Sequence, residues 1–471
     1  MGETAMNSMQ PRRYTRRECV QALGGGLGGC FLAGMLQSSL SGATTEGGAG
    51  KIELGKPHFP PKAKRVIHLF MNGGPFQADL FDPKPDLNQF AGQRPAEVDL
   101  RTERETGGLM PVPFAFKNCG ESGLPMSELI PHLQERADDL CVLRSCHTDN
   151  PNHGPALFMM NNGTITPVRP SMGAWMTYGL GTENKDLPGY VVLCPGRPVR
   201  FSELWSNGFL PGEHQGLYIN SSQFEPSKMV PNLQHVLTPE DQQRQLEVLR
   251  KLNQNHADAR GGDDRFEAQI RAMETAYRMQ FAASDAFDLN RETKETRELY
   301  GSSQYANACL LSRRLVERGV RFVQIYYGNG QPWDTHGKHN ESVRNLCKDM
   351  DQPTAALLTD LKQRGLLEDT LVIWGGEFGR TSTSEAGDGR DHNHWGFTMW
   401  MAGGGVKGGM AHGATDNFGF RAVQDKVHVH DVHATILHLL GLNHEKLTFR
   451  QAGRDYRLTD VYGKVVREIL V

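Results

Sequence analysis

Short runs of apolar residues recur along the chain, and most of them end in turns rich in glycine, proline or acidic residues. The clearest run, residues 371–374, reads Leu-Val-Ile-Trp and is followed by two glycines and Glu377. An uninterrupted apolar run of this length is typical of a strand buried on both faces of a parallel sheet. Further strands are predicted at 65–71, 140–145, 189–193, 320–327 and 397–402.

Segments with helical periodicity separate these predicted strands. They lie at 303–318, 341–364 and 429–440, and another helix is predicted from Pro155. Between about 239 and 300 the composition becomes charged and amphipathic, which predicts two or three long helices inserted into the fold. Because strands and helices alternate from residue 60 to residue 471, we expect one α/β domain with a mainly parallel sheet.

The first 45 residues have the pattern of an export signal. Arg16 and Arg17 precede an uncharged, glycine-rich segment at 19–36, and small residues follow at 38–49. This order predicts a twin-arginine-type signal peptide at 1–45 and a periplasmic or extracellular protein. An uncharged segment of this length could also be an N-terminal anchor, but its glycines favour a cleaved signal with no stable membrane span afterwards.

Composition narrows the function classes. The chain is 38% hydrophobic and 22% charged, which suits a globular protein, and its net charge of −3 gives no basic surface for nucleic acid. No GxGxxG motif follows the first predicted strand, Gly403-Gly404-Gly405 lacks the Lys-Ser/Thr signature of a phosphate-binding loop, and no GxSxG nucleophile elbow is present. Nucleotide binding and serine-hydrolase chemistry of that kind are therefore not indicated.

Acidic residues and histidines follow two of the predicted strands, where ligands of open α/β sheets gather. Asp334 and His336 come after the strand at 320–327, and Glu377 ends the strand at 371–374. His392 and His394 repeat the i, i+2 spacing that places two side chains on one side of an extended segment. We predict that these five residues ligate one divalent metal ion. Zinc, manganese, iron or nickel suits this mixture of imidazole and carboxylate, and calcium suits it less well.

Three further residues are candidates with open alternatives. Asp79, in the loop after the first strand, either adds a carboxylate to the metal or caps a local turn. His153 precedes a helix after the strand at 140–145, and is a candidate general acid or base, metal ligand or nucleophile. Arg380 either holds a substrate oxyanion or pairs with a nearby glutamate.

Several longer motifs point to a known family. They read MNGGPFQADLFDPKP, RSCHTDNPNHGPA, QPWDTHGKH, LVIWGGEFGRT, DHNHW and VHVHDVHATILHLLGLNHEKLTFRQAGRDYRLTDV. From about Lys64 to the C-terminus the chain resembles the secreted bacterial family called domain of unknown function 1501, which is related to the alkaline phosphatase and sulfatase superfamily. The resemblance implies an alkaline phosphatase-like three-layer sandwich around the parallel sheet.

The resemblance also shows departures from sulfatases. Glu377 takes the position of a metal-binding acid, while Phe378 replaces the second ligand. Asn72 stands where the first strand usually supplies an aspartate, which makes Asp79 a substitute, and the Cys/Ser-x-Pro-x-Arg nucleophile motif is missing near His153. The resemblance implies a metal-dependent hydrolase of phosphate or sulfate esters with an atypical nucleophile region.

The sequence supports two hypotheses about the function of the protein. The first is the exported hydrolase, acting on an anionic ester for which sulfated polysaccharide is one suitable class. The alternative is a catalytically degenerate binding or scaffold protein of the cell envelope with a structural metal. Convergence of the predicted ligands around an open position near His153 would favour the enzyme, and dispersed or closed-off ligands would favour the alternative.

Overall fold

The structure is a computed structural model that describes residues 54–198, 202–229, 238–259, 270, 273, 274, 277–279 and 285–471. The predicted signal peptide lies outside these described residues. Within them, no helix combines the length and apolar character needed to cross a membrane.

Strands and helices alternate along most of the described chain. The strands are β1 (Arg65–Phe70), β2 (Phe116–Cys119), β3 (Leu124–Ser127), β4 (Leu140–His147), β5 (Tyr190–Cys194), β6 (Leu217–Asn220), β7 (Phe322–Tyr326), β8 (Thr370–Gly375), β9 (Gly379–Glu385), β10 (Gly389–Asn393), β11 (Phe397–Ala402), β12 (Met410–His412), β13 (Ala414–Thr415), β14 (Ala422–Gln424), β15 (Val427–His428), β16 (Phe449–Gln451) and β17 (Arg454–Tyr456). The α-helices are α1 (Gln77–Leu80), α2 (Pro85–Gln89), α3 (Pro131–Gln134), α4 (His153–Asn162), α5 (Met172–Leu180), α6 (Pro226–Met229), α7 (Pro239–Ala259), α8 (Lys294–Tyr300), α9 (Gln304–Glu317), α10 (His339–Gln363) and α11 (Val429–Leu439).

The central sheet confirms the prediction of mainly parallel strands. Its order is β12-β4-β11-β8-β1-β7-β5-β6, and β15 also pairs with β4. Strand β11 is antiparallel to both of its neighbours, and the other pairs are parallel. The apolar strands β8, β1 and β7 lie side by side in the interior of the sheet. Their carboxyl ends therefore meet at one edge.

Helices cover both faces of this sheet, which gives the predicted three layers. Alternate side chains of β1 enter different hydrophobic clusters, with Leu69 on one face and Phe70 on the other. Leu357 of α10 belongs to the first cluster, and Leu157 of α4 and Ile436 of α11 belong to the second. Burial of each such side chain stabilises the fold by about 1.5–3 kcal/mol. The sandwich therefore rests on two cores.

The segment after Glu377 is polar in composition but forms two strands. Residues of β9 and β10 pair as an antiparallel hairpin, and most of their polar side chains are buried. Arg390 shows how this is possible, because its guanidinium donates to the carbonyls of Thr381 at 2.9 Å and Met110 at 3.1 Å. Polar strands can be buried when nearby carbonyls accept hydrogen bonds from their side chains. A prediction from hydrophobicity alone does not detect such strands.

The helical insertion predicted at about 239–300 falls partly outside the described residues. Within it the structure describes α7, a 21-residue amphipathic helix, and α8. The bounds of the helical insertion therefore stay a prediction.

Acid stability is expected to depend on His68 of β1. This histidine is buried, neither ring nitrogen has a hydrogen-bond partner, and burial lowers its pKa to about 3. The unfolded chain binds a proton near pH 6.5 and the folded chain does not, so stability falls as the pH drops below that value. Because of this histidine, the free energy of unfolding should fall by about 2 kcal/mol between pH 7 and pH 5, and His68→Leu should abolish that part of the fall.

Chemical denaturation at both pH values measures this difference. The exposed His132 supplies a control substitution, His132→Gln, at a histidine outside the core. An identical pH dependence in His68→Leu and the unaltered protein would contradict the prediction.

Candidate metal centre

The functional side chains lie where several elements meet at the carboxyl edge of the sheet. The loop after β7 supplies Asp334 and His336, and the turn after β8 supplies Glu377. His153 begins helix α4 after the loop that follows β4, and the hairpin β9–β10 adds His392. These residues are far apart in sequence, and the parallel strands bring them together.

Three imidazoles converge on one carboxylate oxygen. Oδ1 of Asp334 lies 3.2 Å from Nε2 of His153, 2.9 Å from Nε2 of His336 and 3.1 Å from Nε2 of His392. The buried guanidinium of Arg380 donates to the same oxygen. Burial opposes ionisation of Asp334, but the three hydrogen bonds and the arginine outweigh it and hold the pKa of this carboxyl well below its usual range.

A buried glutamate holds the other nitrogen of His153. Oε1 of Glu377 lies 2.6 Å from Nδ1 of His153, and the Glu377 side chain is fully buried. The backbone N–H of Gly73 donates to both carboxylate oxygens, at 3.1 and 3.2 Å, and the amide of Gln331 donates to Oε1 at 3.0 Å. Glu377 is therefore fixed in position and holds the imidazole of His153 in one orientation.

The other two imidazoles are held in the same way. Glu385 contacts Nδ1 of His336, and Glu103 contacts Nδ1 of His392. A histidine that binds a metal through one nitrogen usually donates the proton on its other nitrogen to a carboxylate, carbonyl or water, which fixes its tautomer. His153 and His336 have the carboxylate form of this arrangement, whereas Glu103 lies against Nδ1 of His392 without the geometry of a hydrogen bond.

The protonation states differ among these rings. Burial opposes the charge on His153, but hydrogen bonds with Asp334 and Glu377 outweigh burial and raise its pKa to about 9. The hydrogen bond with Asp334 also raises the pKa of His336, whereas burial lowers that of His392 to about 3. Positive charge is thus favoured next to Asp334, which is also where a cation would be stabilised.

The donor atoms fit a metal ion of the predicted kind. One group consists of His153, Asp334 and His392, and a second consists of His336, Asp391 and His392. Within each group one ligand atom per residue lies within 4.8 Å of the others. Imidazole nitrogen with carboxylate oxygen is the donor set of zinc, manganese and iron, and three protein ligands leave positions open to water or substrate.

Asp391 joins the site because of a β-bulge. Adjacent residues of a regular strand point to opposite faces, but the pairing register shifts between Arg390 and His392. One carboxylate oxygen of Asp391 accepts the N–H of Arg104 at 2.7 Å, while Oδ1 is buried without a partner. The ligand prediction had omitted Asp391. The sequence DHNHW places Asp391 beside His392, but it does not reveal the bulge.

Three predicted metal ligands lie outside both groups: Glu377, which contacts Nδ1 of His153, and also Asp79 and His394. Asp79 is buried and contacts Nε2 of His339 at 2.8 Å, and Nδ1 of His339 contacts Oγ1 of Thr335 at 2.6 Å. Asp79 thus supports the loop that carries the neighbouring residues Asp334 and His336. The carbonyl of His394 accepts the N–H of Thr148 at 3.0 Å, and its buried Nδ1 has no hydrogen-bond partner.

Arg380 is occupied within the protein. Besides Asp334, its guanidinium donates to the carbonyls of Gly73, Gly74 and Arg390, the last two at 3.2 and 3.3 Å. The side chain is fully buried. Four of its five N–H donors are thus used within the protein, and this geometry supports a role in fixing Asp334.

Fold and site together define a three-layer α/β protein with a candidate metal centre at the edge of its sheet. The chain belongs to the family described as protein of unknown function (DUF1501), which it matches over residues 63–470. A comparison with curated proteins finds no match.

Solved structures similar to the chain include members of the alkaline phosphatase and sulfatase superfamily. A sulfatase from Pseudoalteromonas sp. is 13% identical with a TM-score of 0.35, and the match covers 81% of this chain and 68% of the sulfatase. A phosphonate monoester hydrolase from Silicibacter pomeroyi is 13% identical with a TM-score of 0.33, covering 72% of this chain and 71% of the hydrolase. An alkaline phosphatase superfamily protein from Vibrio parahaemolyticus is 12% identical with a TM-score of 0.34, covering 82% and 68%. Similarity at this level does not extend to the activity of this chain.

Proposed function

We propose that this chain is an exported, metal-dependent hydrolase of phosphate or sulfate esters. One observation carries the proposal: three imidazole Nε2 atoms converge on Asp334, and each ring has a glutamate at its Nδ1. Such preorganised imidazoles are typical of metal ligands. Zinc, manganese and iron match the donor set best, and calcium prefers oxygen ligands.

The roles of the individual residues follow from these contacts. His153, Asp334 and His392 would hold the cation, with His336 beside them. Glu377 would position His153 rather than ligate. A bound divalent cation supplies a polarised ester oxygen and a water of lowered pKa.

Water is the nucleophile that the site supports best. The start of α4 presents Asn152 and His153, and neither has a hydroxyl or thiol. Both ring nitrogens of His153 already face carboxylates, Glu377 and Asp334, which leaves neither free to attack an ester. The unpartnered Oδ1 of Asp391 is available to accept a proton or to ligate a second cation, and the number of metal ions per chain distinguishes these two roles.

Partial exposure of the site favours an enzyme over a structural metal. The side chain of Asp334 is 23% exposed, and those of His336 and His153 are 19% and 13% exposed. A structural site is closed by its protein ligands, whereas a catalytic site keeps a position for water or substrate. This accessibility supports the hydrolase over the binding or scaffold alternative.

The substrate would be an anionic ester, and sulfated polysaccharide is one class with that chemistry. A divalent cation beside Arg380 would give the site positive charge where an ester oxygen approaches. The predicted signal peptide favours a location in the periplasm or outside the cell.

Metal content and turnover test the proposed function together. We expect at least one transition-metal ion per chain by elemental analysis of the purified protein, and hydrolysis of an aryl phosphate or aryl sulfate that stops when a chelator removes the metal. Restoring the metal should restore turnover. Absence of both bound metal and turnover would exclude the hydrolase, and tightly bound metal without turnover on either ester class would support the scaffold alternative.

A further inference from the structure

Glu103 differs from the other two glutamates that hold the histidines. Glu377 lies in the turn after β8 and Glu385 ends β9, and their side chains are 0% and 10% exposed. Glu103 lies in the loop of residues 99–108, far from its histidine in sequence, and its side chain is 33% exposed. The imidazole of His392 is therefore contacted by a residue of a loop and not by a residue at the end of a strand.

Contacts made by the residues that follow Glu103 fix the loop against the hairpin β9–β10. The N–H of Arg104 donates to Asp391 at 2.7 Å, and its guanidinium donates to Glu385 at 2.9 Å. Further along, the N–H of Gly107 donates to the carbonyl of Ser384 at 2.7 Å. The loop is thus held in one position beside the candidate metal centre, although most of its side chains are exposed.

The carboxylate of Glu103 has two partners from different elements. Its Oε2 contacts Nδ1 of His392. The side-chain amide of Asn152, with its nitrogen turned toward Glu103, donates to the two carboxylate oxygens at 3.1 and 3.2 Å. Glu103 therefore links the hairpin to the start of α4, where His153 lies.

We propose that Glu103 is a positioning residue of the metal centre, whose carboxylate accepts the Nδ1 proton of His392 and directs Nε2 toward the metal. The proposal rests on the proposed function, since it requires that a metal binds. The nitrogen that Glu103 contacts is the one turned away from Asp334, so the carboxylate orients the ligand instead of replacing it. Carboxylates behind metal-bound histidines typically contribute about 10–100-fold to metal affinity.

Cobalt binding to the metal-free, full-length mature protein tests this role without relying on turnover. Glu103→Ala should weaken Co²⁺ affinity by about 10–100-fold. Glu103→Gln should weaken it less, because the amide oxygen still accepts the Nδ1 proton. Glu105→Ala is the matched control: Glu105 lies two residues away on the same exposed loop, and we expect its affinity to stay within about twofold of the unaltered protein.

The visible absorption spectrum of bound Co²⁺ separates positioning from ligation. We expect band intensities in Glu103→Gln that indicate the same coordination number as in the unaltered protein. A change in coordination number would make Glu103 a ligand and overturn the proposal, as would unchanged affinity in Glu103→Ala. Equal melting temperatures of the metal-free variants would support a local role, whereas global unfolding of both Glu103 variants would overturn it. An unaltered protein that binds no metal would instead refute the proposed function itself.

Discussion

Asp334→Asn is expected to abolish tight metal binding and to reduce ester hydrolysis by at least about 100-fold. Oδ1 of Asp334 is the atom on which His153, His336 and His392 converge, and its contact with Arg380 stabilises the ionised form. Asparagine keeps the shape of the side chain but removes the charge that balances the cation. Metal stoichiometry and turnover on aryl esters measure the effect.

Two further variants control for this substitution. Asp388→Asn changes an exposed aspartate in the turn of the neighbouring hairpin, and should keep both metal and activity. Loss of a charged partner for the buried Arg380 is expected to destabilise Asp334→Asn by about 3 kcal/mol, so His392→Gln provides a second disruption of the same group. Full metal content in both Asp334→Asn and His392→Gln would refute the assignment of the centre.

Gly389→Ala is expected to have the second largest effect, through backbone contact instead of charge. A Cβ atom at Gly389 would lie 1.9 Å from the carbonyl oxygen of His336 and 2.2 Å from its carbonyl carbon. Because backbone atoms cannot rotate away, the loop that carries His336 must move. We expect a loss of about 3 kcal/mol of stability together with weaker metal binding, measured by chemical denaturation and metal titration.

Gly337→Ala is the matched control for this close approach. Gly337 lies in the same loop, and a Cβ atom there would meet its nearest neighbour, Oδ1 of Asp388, at an ordinary 3.8 Å. This variant should resemble the unaltered protein. Equal stability and metal affinity in Gly389→Ala would show that β10 and the His336 loop are not packed as closely as described.

Strand positions were predictable from the sequence because the central strands are buried on both faces. The predicted strand at 397–402 matches β11, and the run at 371–374 lies within β8 (Thr370–Gly375). A strand that is buried on both faces of a sheet needs mostly apolar side chains, so its composition identifies it. The polar hairpin β9–β10 has no such signature, since carbonyl groups from distant segments satisfy its buried side chains.

The candidate centre was predictable as a region but not as a set of roles. The positions of Asp334, His336 and Glu377 after predicted strands indicated a site, because carboxyl ends of parallel strands share an edge. Glu377 proved to face His153, which no sequence spacing links to it. Asp79 and His394 had the right residue types, but Asp79 contacts His339 and His394 belongs to neither group of candidate ligands.

By itself the sequence determined the α/β architecture, the family and the residue types of a metal site, since these depend on local composition and on motifs. Only the tertiary structure decided which nitrogen of each histidine faces Asp334 and which glutamate lies at the other nitrogen. Those relations join residues as distant as Glu103 and His392, and a β-bulge determines whether Asp391 faces them. Orientation of a side chain depends on packing and register across the whole fold, and a linear pattern does not contain that information.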